Sequence, residues 1–368
     1  MPSNHSTRFF VATIALASFM TQMTPNISPA EELQATLERL AQNDEFSGAV
    51  LLAKGDDVLF KAAVGLASRR YNIDNEVDTK FNVGSMNKMF TSVAILQLAQ
   101  SGKLKLNDPI GKHVDESWLP PETAVRIQIR HLLSHSSGLG DYFVDEFWDT
   151  SRLQYLSLDD YKPLVASTKL EFEPGSKKSY SNAGFLLLGK VIEEVSGSNY
   201  EDYIRLHICE PAGMQDTACY DIRRPVPNLA KGYYRQEGEK TWTENSLLHT
   251  VRGGPAGGGY STVEDLYRFS RALTTFRLLD REYTKRLLVP SADGQTFGFE
   301  HEMTPIGPVV GHSGGFPGIM CKLEIHAKSN ITAIILCNLD KGGIPVLRAL
   351  HQHIASTNPD LRSRPQNK

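Results

Sequence analysis

The sequence predicts an α/β (α+β) fold, in which one antiparallel sheet built from both ends of the chain is flanked by helices and carries an inserted, mainly helical lobe. Three observations predict it. A hairpin pattern occupies 47–67, strand patterns return after Gly307, and the segment from about 107 to 291 is helical and rich in loops. Strands from both ends bury their apolar faces best by pairing in one sheet, with the middle segment packed beside it.

The N-terminal elements follow from local patterns. The segment EELQATLERLAQ (31–42) has Leu and Ala at helical spacing. The segment SGAVLLAKGDDVLFKAAVGLA (47–67) predicts a hairpin that turns at Lys54-Gly55-Asp56-Asp57. After FNVGSMNKMF (81–90), the apolar run TSVAILQLAQ predicts a buried helix that ends near Gly102, because glycine commonly follows a helix.

The C-terminal elements are three strands, PVVGHSG, GIMCKLEIHA and ITAIILCN, followed by the amphipathic segment IPVLRALHQHIA. A three-residue turn centred on Ser329 would place Cys321 opposite Cys337, and an exported protein could oxidise that pair. A register shift of one residue removes the pairing, which leaves the four cysteines as small buried side chains.

Length and charge limit the function classes. A chain of 368 residues is expected to form one or two domains with a sizeable core. The predicted organisation is a signal peptide or N-terminal anchor at 1–30, one domain at 31–356 and a tail at 357–368. The formal net charge is −3 and no basic block is present, so a nucleic-acid partner has no electrostatic support.

The N-terminus predicts export to the periplasm or the medium. RFFVATIALASFM (8–20) places a basic residue before a short apolar run, and Ala15-Leu16-Ala17 offers a small-residue cleavage site after Ala17. The run is too short for an ordinary transmembrane helix. A retained anchor and a buried N-terminal helix remain alternatives.

Within FNVGSMNKMF, Ser85 and Lys88 are three residues apart at the predicted start of a helix. The two side chains then share one face, and Ser85 lies near the unpaired N–H groups at the positive end of the helix dipole. Burial lowers the pKa of a lysine, so a neutral Lys88 could accept the serine proton. The alternative is an N-capping serine followed by an exposed lysine.

Two further stretches carry groups that suit the same chemistry. Tyr180-Ser181-Asn182 stands at a loop-to-helix entry, where a phenol can relay a proton and an amide can hold a carbonyl. The alternative is a core tyrosine and a capping asparagine. His312-Ser313-Gly314-Gly315 ends a strand, and glycine there permits a close approach, although a simple glycine turn would look the same.

These three stretches, in this order, resemble the penicillin-recognising serine hydrolases, which include class C β-lactamases, DD-peptidases, D-amino-acid peptidases and β-lactamase-like esterases. The resemblance extends from about Leu33 to about His353. It is supported by IRHLLSHSSGL (129–139), FEPGSKKSYSN (172–182) and GGGYSTVEDLYRFSRAL (257–273). It implies a β-lactamase/transpeptidase-like fold and hydrolysis of an ester or amide bond through an acyl-enzyme.

The resemblance implies a role for each matching residue. Ser85 would be the nucleophile, Lys88 would activate it, and Tyr180 would move protons between Ser85 and the leaving group. The remaining residues would contact the substrate: Asn182 would orient Lys88 and the carbonyl, His312 and Ser313 would line the far wall, and the N–H groups of Ser85 and Gly315 would form the oxyanion hole.

One departure from the family pattern bears on the substrate. Class C β-lactamases usually have Lys-Thr-Gly where this chain has His312-Ser313-Gly314, and a histidine is mostly neutral at pH 7. This favours an esterase or D-amino-acid peptidase over an efficient β-lactamase. A β-lactamase or DD-peptidase proper, and a non-catalytic protein that binds penicillin or cell-wall fragments, are the alternatives.

Other motifs are weaker. His131 and His135 are four residues apart and could share a helical face as metal ligands, but they lie in a segment that is structural in the similar family. His351 and His353 are two apart, which does not suit one helical face. No metal-protease, P-loop or dinucleotide motif is present. The expected ligand is a small-molecule ester or peptide, with no metal and no cofactor, and the sequence leaves the oligomeric state open.

Overall fold

The computed structural model describes residues 28–290, 296–358 and 361. The predicted signal peptide, apart from its last residues, and most of the predicted tail lie outside the described residues. No helix among those described is long and apolar enough to cross a membrane.

The described strands divide into one large sheet and three short pairs. In chain order they are β1 (Gly48–Lys54), β2 (Asp57–Val64), β3 (Leu66–Ser68), β4 (Ile73–Asp74), β5 (Phe81–Asn82), β6 (Tyr233–Tyr234), β7 (Thr243–Glu244), β8 (Tyr260–Ser261), β9 (Glu300–Thr304), β10 (Gly307–Phe316), β11 (Ile319–His326) and β12 (Ile331–Cys337).

The large sheet confirms the predicted architecture. Its order is β2-β1-β12-β11-β10-β9, and each neighbouring pair is antiparallel, so strands from both ends of the chain meet where β1 pairs with β12. All seven residues of β12 are buried, which explains its unbroken apolar run, whereas the edge strands β2 and β9 are largely exposed or half-buried.

Most of the described helices lie between β5 and β9, as the predicted lobe requires. They are α1 (Pro29–Gln42), α2 (Asn87–Gln100), α3 (Pro121–Ala124), α4 (Ile129–Leu133), α5 (Asp145–Asp149), α6 (Lys162–Ala166), α7 (Asn182–Ser196), α8 (Tyr200–Ile204), α9 (Glu210–Ala212), α10 (Val263–Thr274), α11 (Arg281–Leu288) and α12 (Gly343–Thr357).

Two apolar layers cover the two faces of the large sheet. On one face, α1 and α12 pack through Leu37 and Leu350 against side chains such as Val50 of β1. On the other face, α2, α7, α10 and the rest of the helical lobe form the larger core with side chains such as Leu51 and Leu323. The successive residues of a strand point to opposite faces, so one strand serves both cores.

The register of β11 and β12 corrects the predicted cysteine pairing. Lys322 lies opposite Ile335 and His326 opposite Ile331, so the turn between the strands has four residues (327–330) rather than three. The extra residue shifts the register by one, and Cys321 and Cys337 therefore point into the two different cores. Both thiols are free.

Strand β9 was not predicted. Its sequence, EHEMT, carries no apolar run because it is the edge strand beside β10. It brings Glu300 opposite Gly311, next to the predicted site motif of β10.

Candidate active site

Ser85 lies in a 3₁₀ turn, Gly84–Met86, that leads directly into α2. The α-helix therefore begins two residues later than the sequence predicts, but the turn keeps Ser85 at its N-terminal end. Gly84 has a φ of +52°, and a Cβ there would lie 3.2 Å from the backbone N of Gly315. The turn and the end of β10 can approach this closely because residue 84 has no side chain.

Lys88, in the first turn of α2, is completely buried and points at three oxygen atoms. Its Nζ lies 3.2 Å from Ser85 Oγ and 2.7 Å from Asn182 Oδ1, and it also donates a short hydrogen bond to the carbonyl of Ala256. Serine and lysine thus share one face of the helix entry, as their spacing predicts. The lysine is not the exposed residue of the alternative interpretation.

The chemistry of these three oxygens orients the amine. The Asn182 amide oxygen and the Ala256 carbonyl can only accept hydrogen bonds, whereas the Ser85 hydroxyl can also donate one. A neutral amine has two N–H groups and one lone pair. When Lys88 is neutral, the N–H groups satisfy Asn182 and Ala256, and the lone pair is left facing the hydroxyl proton of Ser85.

Burial also allows the amine of Lys88 to be neutral at physiological pH. Desolvation lowers the pKa of Lys88 to about 7, although the negative charges of Asp141 and Glu300 act in the opposite direction. A base with a pKa near the working pH is the most effective kind of general base. The amine can therefore accept a proton from Ser85 and later release it.

Tyr180 provides the second contact to the nucleophile. Its hydroxyl donates to Ser85 Oγ at 2.8 Å. Burial of the phenol end raises the pKa of Tyr180 well above its usual value, although the hydrogen bond to Ser85 partly opposes this. The phenol therefore stays protonated at neutral pH, which makes it a proton donor and leaves Lys88 as the better base.

Asn182, the first residue of α7, is held by an acidic neighbour. Its Nδ2 donates to Asp141 Oδ2 at 2.7 Å, and this contact turns Oδ1 towards Lys88. The capping role suggested by the alternative interpretation belongs to Ser181, whose hydroxyl accepts from the N–H of Gly184.

His135 positions the loop that carries Tyr180. The backbone N–H of Ser179 donates to the carbonyl of His135, and the N–H of Ser181 donates to its Nδ1 at 3.2 Å. The imidazole stacks on the Tyr180 ring, with centroids 4.4 Å apart. Because burial lowers the pKa of His135 to about 3, the ring remains a neutral acceptor.

The same geometry rules out the metal pair considered for His131 and His135. Helix α4 ends at Leu133, and His135 has a left-handed φ of +54°, so the two side chains do not share a helical face. His131 instead uses its Nδ1 to accept from the N–H of Gln128.

His312 and Ser313 differ from their predicted placement, because neither lines the cavity in front of Ser85. His312 is only 2% exposed, and its Nδ1 lies 2.6 Å from the carbonyl oxygen of Ser313. Ser313 donates its hydroxyl to Glu300 on the unpredicted strand β9. Burial lowers the pKa of His312 to about 4, so the ring is neutral at pH 7, as the sequence predicts.

The cavity in front of Ser85 has a volume of about 180 Å³ and a largely apolar wall. Ser85 and Gly315 both line it, so the two residues that are predicted to form the oxyanion hole border the cavity. Asn182 and Tyr180 also border the cavity. The apolar wall is formed by Tyr142, Phe143, Phe147, Phe316 and Ile319.

The described wall of this cavity contains no lysine or arginine. Lys322 is nearby in β11, but it is paired with Glu300 at 3.0 Å and with Glu302 at 2.6 Å. Opposite Lys88, the nearby charges are the carboxylates of Asp141 and Glu300. The site therefore offers no fixed cation to a substrate carboxylate.

Comparison with known proteins places most of the chain in one family. The model of the family described as Beta-lactamase matches residues 33–355. A penicillin-binding protein of Bacillus subtilis (strain 168) is 30% identical over 363 residues, which cover 92% of this chain and 79% of that protein. A teichoic acid D-alanine hydrolase of Staphylococcus aureus (strain MRSA252) is 27% identical, over 68% of this chain and 60% of that protein.

Solved structures agree with these sequence matches. A penicillin-binding protein from Bacillus halodurans superposes with a TM-score of 0.79 at 31% identity, over 87% of this chain and 98% of that one. A D-stereospecific amidohydrolase from Streptomyces sp. superposes with a TM-score of 0.72 at 26% identity, also over 87% and 98% of the two chains.

Proposed function

The chain belongs to the beta-lactamase family and is a serine hydrolase that acts on ester or amide bonds, and we propose that Ser85 is its nucleophile and Lys88 its general base. The observation that carries this assignment is the environment of the Lys88 amine. Two acceptor-only oxygens take its N–H groups, the third contact is the Ser85 hydroxyl at 3.2 Å, and burial brings the pKa of the lysine to about 7.

In the acylation step, Ser85 Oγ attacks the substrate carbonyl carbon while its proton passes to Lys88 Nζ. The carbonyl oxygen becomes an oxyanion held by the N–H groups of Ser85 and Gly315. Loss of one such donor typically reduces the rate by about 10²–10³. The tetrahedral intermediate then collapses. The bond to the leaving group breaks, the Tyr180 phenol gives the leaving group a proton, and Lys88 passes the proton taken from Ser85 to the Tyr180 phenolate.

In the deacylation step, water takes the place of the leaving group. It attacks the acyl carbon and gives up a proton towards the Tyr180–Lys88 pair, and Ser85 Oγ leaves as the alcohol. The product is a free carboxylic acid, and the enzyme returns to its starting protonation state. Asn182 and Asp141 keep Lys88 in place through both steps and do not exchange covalent bonds.

The substrate class follows from the charge of the cavity. With no cation in the described wall, the acyl group is expected to carry no carboxylate, which favours small neutral esters over anionic β-lactams. The apolar wall suits an aliphatic or aromatic acyl or alcohol group. The preference for neutral esters agrees with the preference that the sequence predicts from His312. Here, however, the preference rests on the residues of the whole cavity wall and not on His312 alone.

A second candidate is a D-aminoacyl ester or amide. The names of the Staphylococcus and Streptomyces relatives point to such substrates. The ammonium of an aminoacyl group would be attracted by Asp141 and Glu300, which already act on Lys88. The second candidate shares every catalytic step with the first and differs only in the charge of the acyl group.

Export remains part of the proposal. It is supported by the sequence of the first 20 residues, and the penicillin-binding and teichoic acid relatives bear names of cell-wall proteins. The substrate would then be met outside the cytoplasm.

A substrate panel tests the proposal. Purified protein is assayed with nitrophenyl esters of neutral acids, D-alanyl esters, D-Ala-D-Ala peptides and a chromogenic cephalosporin. We expect ester turnover in the wild type and a loss of at least about 10³-fold in kcat for Lys88→Ala, which should still fold. Near-normal turnover by that variant would remove Lys88 from the mechanism. Tight binding of the cephalosporin without turnover of any substrate would instead support a binding protein.

A further inference from the structure

Three side chains that can ligate metals converge on the opposite face of the large sheet from Ser85. Glu324 and His326 are two residues apart on β11. They lie opposite Ala333 and Ile331 of β12, and both of these β12 residues belong to the core beneath α1 and α12. His351 reaches the same place from α12. The three potential ligand atoms, one from each side chain, all lie within 4.8 Å of one another.

The carboxylate of Glu324 is the centre of this cluster. His351 Nε2 lies 2.7 Å from Glu324 Oε2, and His326 Nε2 lies 3.4 Å from the same oxygen. Glu324 is 1% exposed and His326 is 3% exposed. The two imidazoles are perpendicular, with their centroids 6.3 Å apart, so they approach the carboxylate from different directions.

The cluster is not satisfied by hydrogen bonds within the described part of the chain. Glu324 Oε1 is buried there without a hydrogen-bond partner, and His326 Nε2 has only the 3.4 Å ion-pair contact with Glu324 Oε2, which falls short of a well-formed hydrogen bond. A buried polar atom without a partner typically costs about 1–3 kcal/mol, and more when it is charged. A cation bound among the three side chains would give these atoms the partners that they lack in the described part of the chain.

We infer that Glu324, His326 and His351 form a structural site for a divalent transition-metal ion, with Zn²⁺ as the best match. Two imidazoles and one carboxylate are a typical zinc ligand set, with a water molecule as the usual fourth ligand. At metal–ligand distances of about 2.0–2.1 Å, tetrahedral ligand atoms lie roughly 3.3–3.4 Å apart. The cluster, whose ligand atoms lie between 2.7 and 4.8 Å apart, reaches that arrangement by small side-chain movements.

The position of the site defines its role. It joins β11 to α12, the last of the described helices, and it is separated from Lys88 and Ser85 by the sheet itself. Metal binding stabilises the docking of α12 and takes no part in ester hydrolysis. The sequence predicts no metal because Glu324 and His326 are far from His351 along the chain, and only the packing of α12 on β11 brings them together.

The experiment uses the full mature chain, stripped of metal with a chelator and then dialysed. Zinc is titrated calorimetrically, bound metal is counted by mass spectrometry, and Co²⁺ replaces it to report the coordination geometry by visible absorption. We expect one Zn²⁺ per chain, a melting temperature several degrees higher with zinc than without, and a tetrahedral Co²⁺ spectrum. Ester hydrolysis by the stripped protein is expected to be unchanged at 25 °C.

Variants locate the site. His351→Gln and Glu324→Gln should lose stoichiometric zinc and the zinc-dependent rise in melting temperature. His353→Gln is the matched control, because His353 lies on the same helix but contacts the carbonyl of Pro29 instead, and it should bind zinc like the wild type. Wild-type protein that binds less than stoichiometric zinc, or equal loss of zinc in His351→Gln and His353→Gln, would overturn the inference whether or not every variant folds.

Discussion

Replacing Asp141 by asparagine should shift the pH dependence of catalysis without touching the nucleophile or the base. The Asp141 charge favours the protonated form of Lys88, which is the inactive form of a general base. Asparagine keeps an oxygen to accept from Asn182 Nδ2, so the hydrogen bond that positions Asn182 can persist. Loss of the negative charge then lowers the pKa of Lys88 further, and activity extends to lower pH.

The structure sets the magnitude. Lys88 Nζ and Asp141 Oδ2 are joined by two hydrogen bonds of 2.7 Å through the Asn182 amide. With about 2.3 Å between the oxygen and nitrogen of that amide, the two charges are at most about 7–8 Å apart. At an effective dielectric constant of about 20–40, this separation corresponds to an interaction of about 1–2.5 kcal/mol. The pKa of Lys88 should therefore fall by roughly 1–2 units.

The assay is the pH profile of kcat/KM for a neutral nitrophenyl ester between pH 4.5 and 9. In the wild type, activity should fall as the pH drops through about 7, where Lys88 becomes protonated. In Asp141→Asn the same limb should lie about 1–2 pH units lower. Asp145→Asn, in the nearby helix α5, is the control and should leave the limb in place. A limb that stays fixed in Asp141→Asn, or moves to higher pH, would refute the assignment of this ionisation to Lys88.

Two further predictions concern the substrate charge and the N-terminus. The wild type should have a higher kcat/KM for a neutral nitrophenyl ester than for a chromogenic cephalosporin, and a wild-type preference for the cephalosporin would contradict this. Phe316→Lys, which adds a cation to the cavity wall, should reduce the ratio of the two kcat/KM values. His312→Lys should reduce it less, because its new charge would lie beside Glu300. Mass spectrometry of exported protein should find an N-terminus between about residues 18 and 28, because Ser28 caps α1, and recovery of only full-length chain in the cytoplasm would refute export.

The fold was predictable where the local pattern matched the final environment. The unbroken apolar runs of β1 and β12 indicate strands buried on both faces, and the hairpin turn at 54–57 is marked by Gly55 and two aspartates. Strand β9 was missed because an edge strand needs no apolar run. The β11–β12 register was wrong by one residue, since Ala327 joins the turn and a sequence does not mark where a ladder stops.

The sequence predicts the motif residues of the site, but it does not predict the charged residues that surround them. Ser85, Lys88, Tyr180 and Asn182 meet within hydrogen-bonding distance, as the resemblance implies. The sequence does not predict the roles of Asp141 and Glu300, because a carboxylate that acts on a lysine from a loop or an edge strand has no fixed spacing from it. Asp141 stands out in GLGDYF as a polar residue at the end of a loop, but nothing in the sequence connects it to Asn182. His312 was misplaced because alternation along β10 does not reveal which residues of a twisted strand border the cavity.

The central claim, that Ser85 becomes acylated with Lys88 as its base, is tested most directly by locating the covalent intermediate. Wild type, Ser85→Ala and Lys88→Ala are incubated with a fluorescent phosphonate, and the labelled protein is digested and sequenced by mass spectrometry. We expect one adduct, on Ser85, in the wild type, no adduct in Ser85→Ala, and labelling slowed by at least about 10²-fold in Lys88→Ala. An adduct on another residue, or equal labelling of the wild type and Ser85→Ala, would contradict it.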